Sequence, residues 1–276
     1  MSENTATITH SQGIQNGSGG RSVVVSLFFL YLKIILYALV FGIPFLILKR
    51  PEYDGSVYRS MYCLFAYCGV LIFAVLEAKE KLAVVQVIKT MKLNRPILML
   101  IGLPVSIGVL ALTVILDQSN AFIDPPEIPV LQKDIFNFFL AVLAAPFLEE
   151  VLCRGIVLKS LLTRTKPWIA ILYSSLFFSA LHMNFYQGIP TFFAGLFLGW
   201  IYYRSKSIWP GVLAHAINNA LSFGCFLYFS ASEETYLDVL GPQWYIGLLA
   251  ISIPAFVFSC MVIQRKTTDS LPSTEF

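Results

Sequence analysis

Long apolar runs alternate with short polar or charged breaks along the whole chain. A helix needs about 20 mainly apolar residues to cross a bilayer. Candidate runs lie at 23–48, 60–76, 96–116, 135–162, 168–183, 191–203, 208–229 and 244–263. Only Lys33 interrupts the first, which ends at Lys49 and Arg50. Residues 77–95 hold Lys79, Lys81, Lys89, Lys92 and Arg95 beside Leu82, Val84, Val85, Val87 and Ile88, the pattern of a short amphipathic helix lying in the interface. Residues 184–190 read as a turn ending in Pro190. The pattern predicts an all-α, polytopic membrane protein of about eight transmembrane helices.

Lys and Arg favour the cytoplasmic side of a membrane. Arg21, the basic stretch 79–95, the 159–166 loop, Arg204 with Lys206, and Arg265 with Lys266 alternate as an inside N-terminus requires; Lys49 and Arg50 run against it. The acidic loops, with Asp117, Asp124, Glu127 and Asp134 and with Glu233, Glu234 and Asp238, then fall outside. An even number of crossings puts both termini in the cytoplasm. Residues 1–22 read as a disordered cytoplasmic tail, being polar and rich in Ser, Thr, Asn and Gly. The first apolar run is longer than a signal peptide's and is expected to stay as an anchor. Residues 23–134 read as accessory helices with the amphipathic stretch, 135–230 as a four-helix core, and 231–276 as a last helix and short tail. No internal repeat is evident.

Composition agrees. Of the 276 residues, 57% are hydrophobic and 13% charged, about half the charge of a soluble domain, and mean hydropathy is +0.73. A net charge of +3 with no basic run among aromatics gives no nucleic-acid footprint. The five cysteines, Cys63, Cys68, Cys153, Cys225 and Cys260, fall in apolar segments with no CxxC pair, and read as small buried hydrophobes rather than disulfide or zinc ligands.

A few polar residues break the apolar pattern. Glu149, Glu150 and Arg154 follow the apolar approach 135–148. A charge at mid-bilayer costs roughly 2.5–3.5 kcal/mol even on lenient scales, so such a group marks a functional site by default. Glu150 and Arg154 stand four apart on one helix face and can neutralise each other. That leaves Glu149 to face His182 and His215, the two histidines in apolar surroundings; His10 lies in the polar tail. Phe178 stands one turn before His182 and can wall its ring. Asn219 stands one turn after His215 and sets an amide beside the imidazole. Alone, either histidine reads equally well as interhelical hydrogen bonding, Asn219 more readily as interhelical glue and Glu150–Arg154 as a structural ion pair, while Glu149 is harder to dismiss because Arg154 can fully serve only one carboxylate; together, on three helices, they read as one site. A carboxylate in a dry cavity is a good general base for water. Imidazoles can hold that water or donate to an oxyanion, and an Asn amide is an oxyanion donor. Two imidazoles and a carboxylate also make an open zinc site. There is no His-Glu-x-x-His helix, no Gly-x-Gly-Asp stretch and no phosphate-binding glycine loop.

Glu149-Glu150-x-x-x-Arg154, Phe178-x-x-x-His182 and His215-x-x-x-Asn219, in that order, resemble the signature of the CAAX-processing and bacteriocin-processing intramembrane proteases (CPBP, also called Abi). The resemblance covers about 135–230. It implies that Glu149 activates water, His182 assists, His215 and Asn219 stabilise the oxyanion, and Glu150 and Arg154 support. It implies no bound metal as the preferred form, with Glu149, His182 and His215 the ligands if zinc is used. The expected activity is hydrolysis of a peptide bond in a hydrophobic or lipidated protein or peptide at the membrane lipid. The rival readings are a proton-coupled transporter using the same groups as a relay, and a non-catalytic scaffold or immunity protein. Against the transporter, no inverted repeat or paired broken helices occur. The positive-inside topology puts Glu149 and His215 in the cytoplasmic half but His182 well along the fifth segment. The groups then meet only if helices tilt or that segment starts deep, and separations beyond about 10 Å would break a single site.

Overall fold

The computed structural model describes residues 23–47, 64–66, 68–70, 72–73, 76, 138–182, 185–229 and 241–268. Within them all regular structure is helical. Helix α1 is Val23–Ile47. A composite helix, α2, runs over 140–162: a π-helical stretch Leu140–Ala144, α-helical Ala145–Glu150, π-helical Val151–Leu158, and a last α-turn Lys159–Leu162. It is followed by α3 (Pro167–Leu181), α4 (Phe185–Ser205), α5 (Trp209–Phe229) and α6 (Pro242–Thr268).

The first widening of α2 has a covalent cause. Pro146 has no N–H and its ring crowds the carbonyl four residues back, so a regular α-turn cannot form there. The turn widens instead, and the Ala145 N–H reaches Leu140 O, five residues back.

Four helices, α2 to α5, form the body around the expected site. Leu152, Cys153, Val157, Leu158 and Leu161 of α2 pack with Ala170, Ile171, Phe177 and Phe178 of α3 and Tyr202 of α4. Gly195 and Gly199 let α4 approach α3 closely. A Cβ at Gly195 would stand 3.1 Å from the Ser175 backbone, and one at Gly199 3.1 Å from Ile171. This is the small-residue contact by which helices associate where lipid removes the hydrophobic drive. A second cluster, Leu198, Ile201, Ala214 and Ile263, joins α4, α5 and α6. Arg204 at the end of α4 adds hydrogen bonds to Thr267 Oγ1 (2.8 Å) and the Gln264 carbonyl (2.7 Å). α1 meets α3 through Ile34 in the core and through Tyr31, whose hydroxyl donates to the Ala180 carbonyl at 2.9 Å.

The segment expected as a turn at 184–190 is helical from Phe185, with Pro190 inside α4. Hydroxyls engage the neighbouring carbonyls: Thr191 Oγ1 donates to Gln187 O and Gly188 O, and Ser179 Oγ to Gly188 O. The tail 1–22, the amphipathic stretch 77–95, the run 96–116 and both acidic loops lie outside the described residues, and the run 60–76 is described in part.

Among the described residues no helix is long and apolar enough to cross a membrane. The count of eight crossings is therefore not established by the structure. What stands out is apolar surface facing outward: Phe28, Phe29, Leu36 and Val40 on α1, and Trp244, Ile246, Ile251, Ile253 and Phe258 on α6 are all exposed. Contiguous apolar surface of this kind marks a membrane or partner contact.

Candidate active site

Glu149 and Glu150 close the α-helical stretch of α2, just before its second widening at Val151–Leu158. Arg154 lies inside that widening. Its Nη1 donates to Glu150 Oε1 at 2.8 Å, the pair expected from the four-residue spacing, and both side chains are shut off from solvent. Arg154 Nη2 donates to the Gly195 carbonyl at 3.2 Å. Its guanidinium also lies over the Phe178 ring, 4.6 Å from the centroid. A buried ion pair is stabilised further when its remaining polar atoms are met; here α4 meets Nη2 and the Phe178 ring of α3 meets the guanidinium face.

Glu150 fits its niche because α5 has no side chain there. A Cβ at Gly211 would stand 2.8 Å from Glu150 Oε2. That oxygen and Arg154 Nε are buried without a hydrogen-bond partner among the described residues.

His215, one turn after Gly211 on α5, reaches both carboxylates. Its Nδ1 lies 3.3 Å from Glu150 Oε1, and its Nε2 3.7 Å from Glu149 Oε2. A carboxylate oxygen accepts, so the Nδ1–H donates to Glu150, while the Glu149 contact is longer than a hydrogen bond. Glu149 differs from its neighbour in exposure: its side chain keeps 15% accessibility, Glu150 none.

His182 caps α3. Its Nδ1 lies 3.0 Å from the Phe178 carbonyl, which can only accept, so the Nδ1–H donates to it and Nε2 is left for the site. Phe178 is the hub. Its ring meets His182 edge-on at 5.1 Å and His215 at 5.5 Å while Arg154 covers it. Both imidazoles touch one buried phenyl ring, because α3 ends beside the part of α5 that carries His215.

Asn219, one turn after His215 on α5, faces α2. Its Nδ2 donates to the Ala141 carbonyl at 2.8 Å, in the first widened stretch of α2. Among the described residues no three or more His, Cys, Asp or Glu side chains are gathered to hold a metal ion. The two histidine Nδ1 atoms are turned to Phe178 O and Glu150.

Sequence reasoning missed Gly211, Gly195 and Ala141. Gly195 carried a signal in the Gly195-x-x-x-Gly199 spacing, and Ala141 in standing five residues before Pro146; Gly211 carried none.

Residues 131–221 match the family described as type II CAAX prenyl endopeptidase, Rce1-like. The match covers about a third of the chain. The segment takes in every site residue above, from Ala141 to Asn219, and leaves out α1 and α6. YdiL of Bacillus subtilis (strain 168), named as a candidate membrane peptidase, is 28% identical over 90 residues, which are 33% of this chain and 37% of YdiL. The chain thus matches little more than a third of that relative's length. No solved structure matches.

Proposed function

We propose that the protein is an intramembrane endopeptidase that uses Glu149 to activate water against a peptide bond of a membrane-associated or lipidated substrate. One observation carries this reading. His182 and His215 both meet the buried Phe178, His215 stands between Glu150 and Glu149, and of the two carboxylates only Glu149 is accessible. The Rce1-like segment and the candidate membrane peptidase YdiL point to the same chemistry.

In this reading Glu149 accepts a proton from water as the oxygen adds to the scissile carbonyl carbon. His182 Nε2, with its lone pair, accepts a hydrogen bond from the same water. The tetrahedral intermediate then collapses with cleavage of the C–N bond. The proton held by Glu149 passes to the leaving amine, so the products are a carboxylate and an amine. Glu150 is occupied by Arg154 and His215 and keeps the negative charge of the pair away from the water. His215 spans the two carboxylates and fixes where Glu149 stands. Catalysis of this kind contributes about 10²–10⁴-fold through the base alone.

The test uses a quenched fluorogenic peptide ending in a farnesylated CAAX sequence, with the same peptide unprenylated as comparison, on purified protein in lipid. Glu149→Ala and His215→Ala should each lower cleavage at least about a hundredfold. Full cleavage of either peptide by both variants overturns the assignment. Proton flux into liposomes driven by a solute gradient would instead support the transporter.

A further inference from the structure

We propose that Asn219 is a positioning residue that replaces the backbone hydrogen-bond donor removed by Pro146. In an α-turn the Ala141 carbonyl would accept from the N–H of residue 145, but the Ala145 N–H goes to Leu140 O. In a π-turn it would accept from residue 146, which is proline and has no N–H. Ala141 O is therefore left without a backbone donor by the covalent structure of α2. A carbonyl without its backbone donor loses a hydrogen bond wherever it is withdrawn from solvent, and this contact is part-buried between α2 and α5. Asn219 Nδ2 stands 2.8 Å from that oxygen.

The consequence reaches the site. Asn219 and His215 lie one turn apart on α5, and Ala141 and Glu149 lie on α2 on either side of Pro146. The bond at Asn219 pins α5 along α2 at one end, and the edge-on contact of Phe138 with Phe223 (5.5 Å) packs the same two helices beside it. At the other end the register decides whether His215 stands within 3.3 Å and 3.7 Å of the two carboxylates. A slide of one ångström along the helix pair would separate them. Asn219 thus acts on Glu149 through the backbone, and its effect on cleavage rests on the catalytic reading above; its pairing with Pro146 does not.

The pairing is tested by a double-mutant cycle. Asn219→Ala should lower the unfolding midpoint in detergent. It should also lower kcat on the farnesylated CAAX probe by about tenfold with KM unchanged, the size of one lost buried hydrogen bond. Pro146→Ala returns an N–H to position 146. In that background Asn219→Ala should cost far less in midpoint, and the double variant should recover most of the kcat lost by Asn219→Ala. Equal costs in both backgrounds overturn the proposal. If Pro146→Ala does not fold, Asn219→Asp decides. It keeps size but sets a carboxylate against a carbonyl, so it should melt below Asn219→Ala, and an equal or higher midpoint overturns the proposal. The stability cycle needs no substrate, so coupling that persists while Glu149→Ala retains cleavage would locate the error in the catalytic reading alone.

Discussion

Glu149 and Glu150 are adjacent in the chain and differ in what surrounds them. Glu150 receives Arg154 and His215 on one oxygen and is closed off by α5 at Gly211. Removing one member of a buried pair leaves an uncompensated charge and costs roughly 3–5 kcal/mol. Glu150→Ala should therefore lower the unfolding midpoint steeply, whereas Glu149→Ala should leave it nearly unchanged and act on cleavage; exchange of these two effects would refute the division. Gly211→Ala places a Cβ 2.8 Å from Glu150 Oε2, so either the carboxylate or α5 must move. Overpacking of this kind costs roughly 1–3 kcal/mol. Both unfolding and cleavage should suffer, checked by thermal melts and the fluorogenic assay. The spacing of Glu150 and Arg154 already predicted their pairing. That His215 would join them could not be read, because its partner lies 65 residues away.

At the scale of elements, two departures from a regular helix place the site. Pro146 widens α2 before the carboxylates, and a second π-stretch carries Arg154 after them. Widened turns of this kind are frequent at functional sites. Periodicity placed a helix over this region but treated it as uniform, because apolar spacing does not distinguish a π-turn from an α-turn. The reverse holds at 184–190, where proline suggests a break and the chain is helical from Phe185 with Pro190 inside α4. The α3–α4 contact is the most sensitive to size. Gly199→Val should push α4 off Ile171 and lower the unfolding midpoint by an amount equivalent to roughly 1–3 kcal/mol. Gly195→Val should add a loss of cleavage, since Gly195 also holds Arg154 through its carbonyl.

For the whole molecule, the outward apolar faces of α1 and α6 carry the prediction. Ile251 is 72% exposed and Ile253 60%. A lysine at bilayer depth costs roughly 2.5–3.5 kcal/mol, so Ile251→Lys with Ile253→Lys should shift the protein out of the alkali-resistant membrane fraction. Unchanged recovery there would mean that this face of α6 does not meet lipid. α1 and α6 lie outside the Rce1-like segment, yet α1 reaches the end of α3 next to His182 through Tyr31 and Ala180. The flanking helices therefore brace the segment as well as enclose it.

The sequence by itself determined the helical class, the apolar runs and the identity of the groups that break them, because a charge in an apolar run signals its cost locally. It also determined the Glu150–Arg154 pair and the Phe178–His182 neighbourhood, since each lies within a single turn. Only the tertiary structure decided that Phe178 serves both imidazoles and the guanidinium, that His215 bridges two carboxylates, and that Asn219 meets a backbone carbonyl. Those relations join different helices, and their register is set by close packing at Gly195, Gly199 and Gly211 and by the donor that Pro146 lacks. None of these is a property of residue spacing along one element.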